Sequence, residues 1–183
     1  EGRRMVAPHP TLFSSLVPPA LRAQWRNELA NKFGIEARVI EGDAAREDPA
    51  LWAQSGVLLA SLGLARLEPH ASHIAANQFD LLIVDEAHRL KNRRSRSWQL
   101  VDRLRARFLL LLSATPVEND LIEIHNMLSL LKPGLFSTEA EFKRAFLTAG
   151  TSRAVKDPVR LRTLLREVMI RNTRALAEAK LPP

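Results

Sequence analysis

Two short apolar runs, each ending abruptly in chemically active residues, constrain this chain more than any other feature. Phe79 to Asn92 reads FDLLIVDEAHRLKN, and the stretch from Phe108 reads FLLLLSATPVEND. Each run is five or six residues long, too short for a buried helix and suited to a central strand covered on both faces. In an open parallel sheet, ligands bind beyond the carboxyl ends of the strands. Both runs then deliver their polar residues to one edge, with Asp85 and Glu86 beside Ser113 and Thr115. That is the arrangement expected of a nucleoside-triphosphate hydrolysis site. Cleaving a phosphoanhydride needs a carboxylate to hold the water shell of Mg²⁺ and a second group to orient or deprotonate the attacking water. Asp85, first after its strand, suits the metal, and Glu86 suits the water. His88 and Ser113–Thr115 are placed to sense the nucleotide and pass its state on. The rival reading of the two acids is a cap on a loop or helix start, and that of His88 a satisfied loop histidine. A second strand ending in S-A-T supplies the strand-to-loop context in which a D-E-A-H motif counts.

The 183 residues suffice for one sizeable domain and not comfortably for two. With 46% hydrophobic and 26% charged residues, the composition is that of a globular protein. No apolar run approaches the ~20 residues that span a bilayer, and no signal-peptide pattern opens the chain, so no membrane partner is expected. The absence of Cys excludes disulfides and thiolate metal sites and fits a reducing compartment. A net charge of +7 favours polyanionic partners such as nucleic acid. Arg far outnumbers Lys, which suits phosphate recognition, although a biased genome would give the same ratio.

Strand and helix patterns alternate along the first two thirds of the chain. Residues 1–10 carry no clear periodicity and stay unassigned. Leu12 to Val17 reads as a strand interrupted by Ser14 and Ser15, and Pro18-Pro19 opens a helix. Leu21, Trp25, Leu29 and Phe33 recur every four residues as one apolar stripe, ended by Gly34. Ile35 to Ile40 reads as a short strand closed by a Glu41-Gly42-Asp43 turn. Val57 to Ser61 is a further buried strand, followed by weakly helical sequence to about Gln78. A basic loop, Arg89 to Arg96, leads into a helix carrying Trp98, Val101 and Leu104. After residue 116 every pattern is helical. Asp120 caps a helix with Leu121, Ile124, Leu128 and Leu131 on one face, stopped by Pro133-Gly134. Thr138 and Glu141 form a capping box ahead of a helix through Phe146, and Asp157-Pro158 starts another with Leu161, Leu165 and Val168 inward. The expected fold class is α/β, a parallel sheet flanked by helices with a C-terminal helical extension.

The blocks VPPALRAQWRNEL, VLLASL, LLIVDEAHRLKN, LLLSATPVENDLIEIHNMLSLLKPGLF, VMIRNTR and LPP occur in that order. Together they resemble the first RecA-like (P-loop NTPase type) lobe of Swi/Snf-type, RapA-like ATP-dependent DNA translocases, over Val17 to Pro183. D-E-A-H with S-A-T marks only the wider helicase superfamily. The continuation H-R-L-K-N and the T-P-x-x-N run into L-K-P-G-L-F are specific to the Swi/Snf branch. The resemblance implies residues 11–136 as a partial ATP-binding lobe and 137–183 as a helical protrusion and the start of a linker to a second RecA-like lobe. It implies ATP and Mg²⁺ as cofactors, with Asp85 holding the metal through water and Glu86 and His88 catalytic. Ser113, Ala114 and Thr115 would couple hydrolysis to DNA movement. Pro19, Leu21, Gln24 and Trp25 would occupy a segment that touches the DNA backbone, Ser61, Lys91 and Arg93 would also meet double-stranded DNA, and Arg171 and Arg174 would help close the lobe. Such a protein is expected in the cytoplasm with the bacterial nucleoid, or in a eukaryotic nucleus.

Several of these assignments have a structural rival. Trp25 sits on the apolar stripe of its helix, where core packing is expected, whereas Gln24 is better placed for an outward contact. Ser61 equally suits a helix cap. Arg89, Lys91, Arg93, Arg94 and Arg96 equally suit a solvated loop, and Arg171 and Arg174 a helix C-terminus. The phosphate-binding pattern G-x-x-x-x-G-K-[ST] does not occur; no Gly-Lys pair exists in the sequence. The span is therefore expected not to hydrolyse ATP alone. The alternatives are a non-catalytic nucleic-acid-binding or scaffold module on a degenerate helicase fold, or a strand-separating helicase or restriction-system motor.

Overall fold

The structure is a computed structural model, and it describes residues 12–114, 121–136, 138–148 and 155–170. The chain divides into two compact units, Glu1–Glu118 and Asn119–Pro183.

The first unit is built on five parallel strands: β1 (Leu12–Val17), β2 (Ala37–Val39), β3 (Gly56–Ser61), β4 (Gln78–Val84) and β5 (Arg105–Leu111). Their order in space is β2-β3-β1-β4-β5. Ser14 and Ser15 do not interrupt β1, which is the middle strand of the sheet. Leu16 and Val17 of β1, Leu58, Leu59 and Ala60 of β3, and Leu82, Ile83 and Val84 of β4 are all buried. Consecutive buried residues mean cover on both faces, as parallel strands require. The expectation fails at β5, which among the described residues is an edge strand. Its Phe108 is 58% and its Leu110 44% exposed, because only β4 pairs with it. The strand read over Ile35–Ile40 shrinks to the three residues of β2, at the other edge.

Helices α1 (Arg22–Phe33), α2 (Gly42–Glu47), α3 (Leu62–Ala65), α4 (His70–Ala75) and α5 (Arg96–Arg103) connect the strands. The path from β1 to β2 runs one way across the sheet, and every later connection runs the other way. Since parallel crossovers are right-handed, α1 takes one face and α2 to α5 the opposite one. Accordingly α3, α4 and α5 touch one another, and α4 packs on a 3-10 turn at Pro49–Ala53. Gly34 ends α1 with φ 64°, a left-handed conformation that glycine adopts without strain. Of the apolar stripe on α1, Leu29 is buried but Phe33 is 69% exposed, since that last turn extends past the short β2. The expected turn at Glu41-Gly42-Asp43 is the start of α2, and Leu104 lies just beyond α5 as its C-cap.

Trp52, fully buried, donates its indole N–H to Nδ1 of His70 at 3.4 Å, with ring centroids 5.8 Å apart. This bond needs the neutral imidazole. Burial, followed by the nearby Arg46 and His73, holds the pKa of His70 below its ordinary value.

The second unit contains α6 (Leu121–Leu131), α7 (Glu139–Phe146) and α8 (Pro158–Val168). Thr138 caps α7 through Glu141 N at 3.2 Å, and Asp157 caps α8 through Arg160 N at 2.9 Å, as the sequence pattern predicts. The proposed cap of α6, Asp120, lies outside the described residues. Rings of His125, Phe136, Phe142 and Phe146 form a cluster; Phe136 meets Phe142 edge-on at 5.3 Å. No helix of the described residues is long and apolar enough to cross a membrane.

His70 makes stability pH-dependent with a definite sign. Unfolded, its imidazole titrates near 6.5; folded, it titrates lower. Between those values the unfolded chain holds the extra proton, so this contribution is complete above 6.5 and is lost as pH falls toward the folded value. Urea denaturation of the wild type and a His70→Gln variant across pH 5–8 should show a shallower acid-side loss in the variant.

Candidate active site

Backbone hydrogen bonds carry the sheet pairing past the ends of the strands. Asp85 N donates to Leu16 O at 2.9 Å, Leu112 N to Val84 O at 2.9 Å, and Ala87 N to Leu112 O at 2.8 Å. Asp85 and Glu86 are thereby fixed between the tips of β1 and β5, with Ser113 one residue beyond Leu112. From this row the chain departs both ways: β1 runs through the 3-10 turn Pro19–Leu21 into α1, and β4 through the 3-10 turn Ala87–Leu90 toward α5. Divergence of neighbouring connections makes this the topological switch point of the sheet, at the carboxyl edge where open α/β sheets place their ligands.

Glu86 adopts φ 54°, ψ 45°, and no other non-glycine residue among those described has positive φ. The left-handed turn lets the next amide, Ala87 N, bond to Leu112 O. Such a conformation costs a side-chain-bearing residue on the order of 1–3 kcal/mol and clusters at functional sites. The carboxylate of Asp85 is held at both oxygens. Oδ1 accepts from Glu86 N at 2.8 Å, and Oδ2 accepts from Trp25 Nε1 at 3.1 Å. Each oxygen keeps a lone pair. His88 Nδ1 lies 2.9 Å from Glu86 Oε2, an ion pair when the imidazole is protonated. Asp85, Glu86 and His88 are all half-buried, accessible yet partly shielded from water.

No group of three or more His, Cys, Asp or Glu converges among the described residues. A metal held at Asp85 through its water shell would therefore meet one protein carboxylate and draw its ligands from water and substrate. That donor set fits Mg²⁺, which keeps much of its hydration, and does not fit a zinc or calcium cage.

The remaining predicted residues distribute as follows. Pro19 and Gln24 are exposed at the start of the α1 segment, on the same edge as Asp85. Ser61 is 8% exposed, and its Oγ accepts from Leu64 N at 3.1 Å, capping α3; its hydroxyl proton remains to be donated. Lys91 is half-buried and Arg93 exposed, with the Arg93 guanidinium 4.8 Å above the Trp98 ring. The basic loop is built rather than loose: Asn92 Oδ1 accepts from Arg94 N at 2.8 Å, and Ser95 caps α5 through Trp98 N. Ser113 is half-buried and Ala114 exposed. Thr115, Arg171 and Arg174 lie outside the described residues.

Comparison with known proteins agrees with this fold. A family model for the SNF2-related domain matches residues 8–183. This chain belongs to the SNF2-related domain family. It is 36% identical over 159 residues to an uncharacterized ATP-dependent helicase, YqhH, of Bacillus subtilis, covering 87% of this chain and 27% of that protein. It is 31% identical over 141 residues to the DNA repair and recombination protein RAD54-like of Gallus gallus, covering 70% of this chain and 19% of that protein. The SWI2/SNF2 ATPase core of Sulfolobus solfataricus, solved in complex with double-stranded DNA, superposes with a TM-score of 0.74 at 20% identity, covering 90% of this chain and 34% of that one. The SNF2-related chain thus has the RecA-like sheet of a Swi2/Snf2 ATPase core and spans about a third or less of the proteins it matches.

Sequence reasoning missed the bond from Trp25 to Asp85. Its place on the apolar stripe of α1 reads as core, yet the side chain is half-buried and its N–H ends on Asp85. The available signal was chemical, because a partly buried indole N–H seeks an acceptor. The left-handed Glu86 gives a stability test. Asn tolerates that conformation and β-branched residues do not. Glu86→Asn should unfold within about 0.5 kcal/mol of the wild type, whereas Glu86→Val should lose on the order of 1–3 kcal/mol in chemical denaturation. Equal losses would mean the left-handed turn is not retained.

Proposed function

We propose that this chain is part of an ATP-driven motor that translocates on double-stranded DNA, and that the carboxyl edge of the sheet is its hydrolysis site. The observation that carries the reading is the hydrogen-bonded row of strand tips that sets Asp85 and Glu86 beside Ser113. In this reading Asp85 holds Mg²⁺ through the metal's water shell. The ion, when bound, neutralises charge on the phosphate oxygens. Glu86 accepts a proton from, or orients, the water that attacks the terminal phosphoryl group, and His88, beside the Glu86 carboxylate, senses the nucleotide. Ser113 and Ala114, with Thr115, pass the state of the site to the DNA. Arg171 and Arg174 help close the lobe against a second RecA-like lobe, and residues 137–183 form the helical protrusion and linker. The cradle for the triphosphate would come from further polypeptide. Among the described residues the outer edge of β5 is unpaired, and with Phe108 and Leu110 exposed it offers hydrogen-bond partners and apolar surface to a further strand.

DNA would be met at the same edge by Pro19, Gln24, Ser61, Lys91 and Arg93, through phosphates. Contacts of that kind carry little base information and make binding salt-sensitive. Such a motor would work in the bacterial cytoplasm on the nucleoid, or in a nucleus.

The test uses the full-length protein with its flanking sequence. Glu86→Gln should lower DNA-stimulated ATP hydrolysis by about 10²-fold or more, the scale of a lost general base, while leaving DNA affinity within about twofold. Equal turnover in the two proteins would remove Glu86 from the mechanism. A Lys91→Ala, Arg93→Ala double variant should weaken DNA binding equally for unrelated sequences and reduce the slope of log affinity against log salt by roughly 2. An unchanged slope would place the DNA elsewhere.

A further inference from the structure

Resting on the reading of Asp85 as the magnesium carboxylate, we propose that Trp25 is a positioning residue that ties helix α1 to that carboxylate, so that DNA engaged at α1 and metal-nucleotide held at Asp85 influence each other. The two hydrogen bonds on Asp85 differ in kind. The donor to Oδ1 is the amide of the adjacent residue, Glu86, at 2.8 Å. A single neighbouring donor leaves the carboxylate free to rotate about it. The donor to Oδ2 is the Trp25 indole at 3.1 Å, sixty residues away in sequence and on another element. With both oxygens engaged from different directions, the carboxylate plane is set, and one lone pair on each oxygen is left facing other partners.

The topology makes this bond possible. β1 and β4 are neighbours, with Leu16 opposite Val84, and Asp85 N is bonded to Leu16 O. The first turns of α1 rise from the tip of β1 and so stand beside the tip of β4. Trp25 lies in that first part of α1, next to the exposed Gln24. Below it Leu29 anchors the helix in the core at 9% exposure, and Arg22 ties it to Ile40 O and Glu41. A helical turn moves as a rigid piece, so displacement of Pro19–Gln24 by a DNA backbone is felt at the Trp25 N–H. Indole serves the purpose because it is a donor only. It orients the carboxylate and brings no charge to compete with a cation.

Partners that orient a metal ligand from behind typically affect metal affinity or activity by 10–100-fold. Linkage is reciprocal, so if DNA alters metal-nucleotide affinity, metal-nucleotide alters DNA affinity by the same factor. The experiment measures binding of a fluorescent ATP analogue to the full-length protein as Mg²⁺ is titrated, with and without a 40-base-pair duplex. The proteins compared are the wild type, Trp25→Phe, Asp85→Asn, and a protein with 3-benzothienylalanine at position 25, which keeps the ring shape and lacks the N–H. Both position-25 variants should need roughly 10-fold or more Mg²⁺ for half-saturation. The shift that DNA produces in the wild-type Mg²⁺ midpoint should vanish in both, with the melting temperature retained in the benzothienylalanine protein. Unchanged midpoints in the position-25 variants, a DNA shift that persists in them, or no DNA shift in the wild type would overturn the proposal. If Asp85→Asn leaves the midpoint where it was, the magnesium assignment itself fails, a result separate from the Trp25 variants.

Discussion

The site rests on main-chain bonds at the tips of three adjacent strands. Peptide groups of Leu16, Val84, Asp85, Ala87 and Leu112 supply them, so no side chain has to be correct for the two acids to stand where they do. What must be correct is register. Slipping β4 by one residue against β1 or β5 would turn its inward side chains to the other face and carry Asp85 off the row. Burial favours this register: Leu16, Leu82, Val84 and Leu59 are each within 1% of complete enclosure, and a slip of β4 would either carry the end of its apolar run out of the sheet or draw Asp85 into it. The apolar core of the sheet and the placement of the polar tips are therefore one constraint.

Around that row, opposite crossover directions divide the labour. The connection from β1 climbs to one face and brings α1, with exposed Pro19 and Gln24 and the indole of Trp25, to the carboxyl edge beside Asp85. The connection from β4 leaves for the other face and brings the built basic loop, with Lys91 and Arg93. Glu86 sits where the paths part, and its left-handed backbone serves the divergence: an extended residue there would carry the Ala87 amide away from Leu112.

Residues that report their own burial were legible in the sequence. The runs before Asp85 and Ser113 announce parallel strands, and the Thr138 and Asp157 caps are visible because cap chemistry is local. What depends on neighbours was not legible. Phe108 and Leu110 look like core residues but lie on an edge strand. Phe33 continues the stripe of α1 in period but outruns the sheet beneath it. Gly42 reads as a turn residue yet lies inside α2, because helix initiation there depends on packing against the Pro49–Ala53 turn. Trp25 is the instructive case. Period assigns it to the core, and only the adjacency of β1 and β4 shows that its polar end reaches Asp85.

The electrostatic character of the row follows from which donors it uses. Asp85 is held by an amide and an indole, both neutral, and among the described residues no Lys or Arg pairs with Asp85 or Glu86. A guanidinium on Asp85 would satisfy the carboxylate and compete with any cation brought to it. Neutral donors orient the oxygens and leave the negative charge uncompensated. The Arg residues nearest in sequence instead sit on the loop after β4, with Arg93 on the face of Trp98. With Asp85 oriented by neutral groups and cations kept on the adjoining loop, negative charge stands at the strand tips and positive charge at their margin.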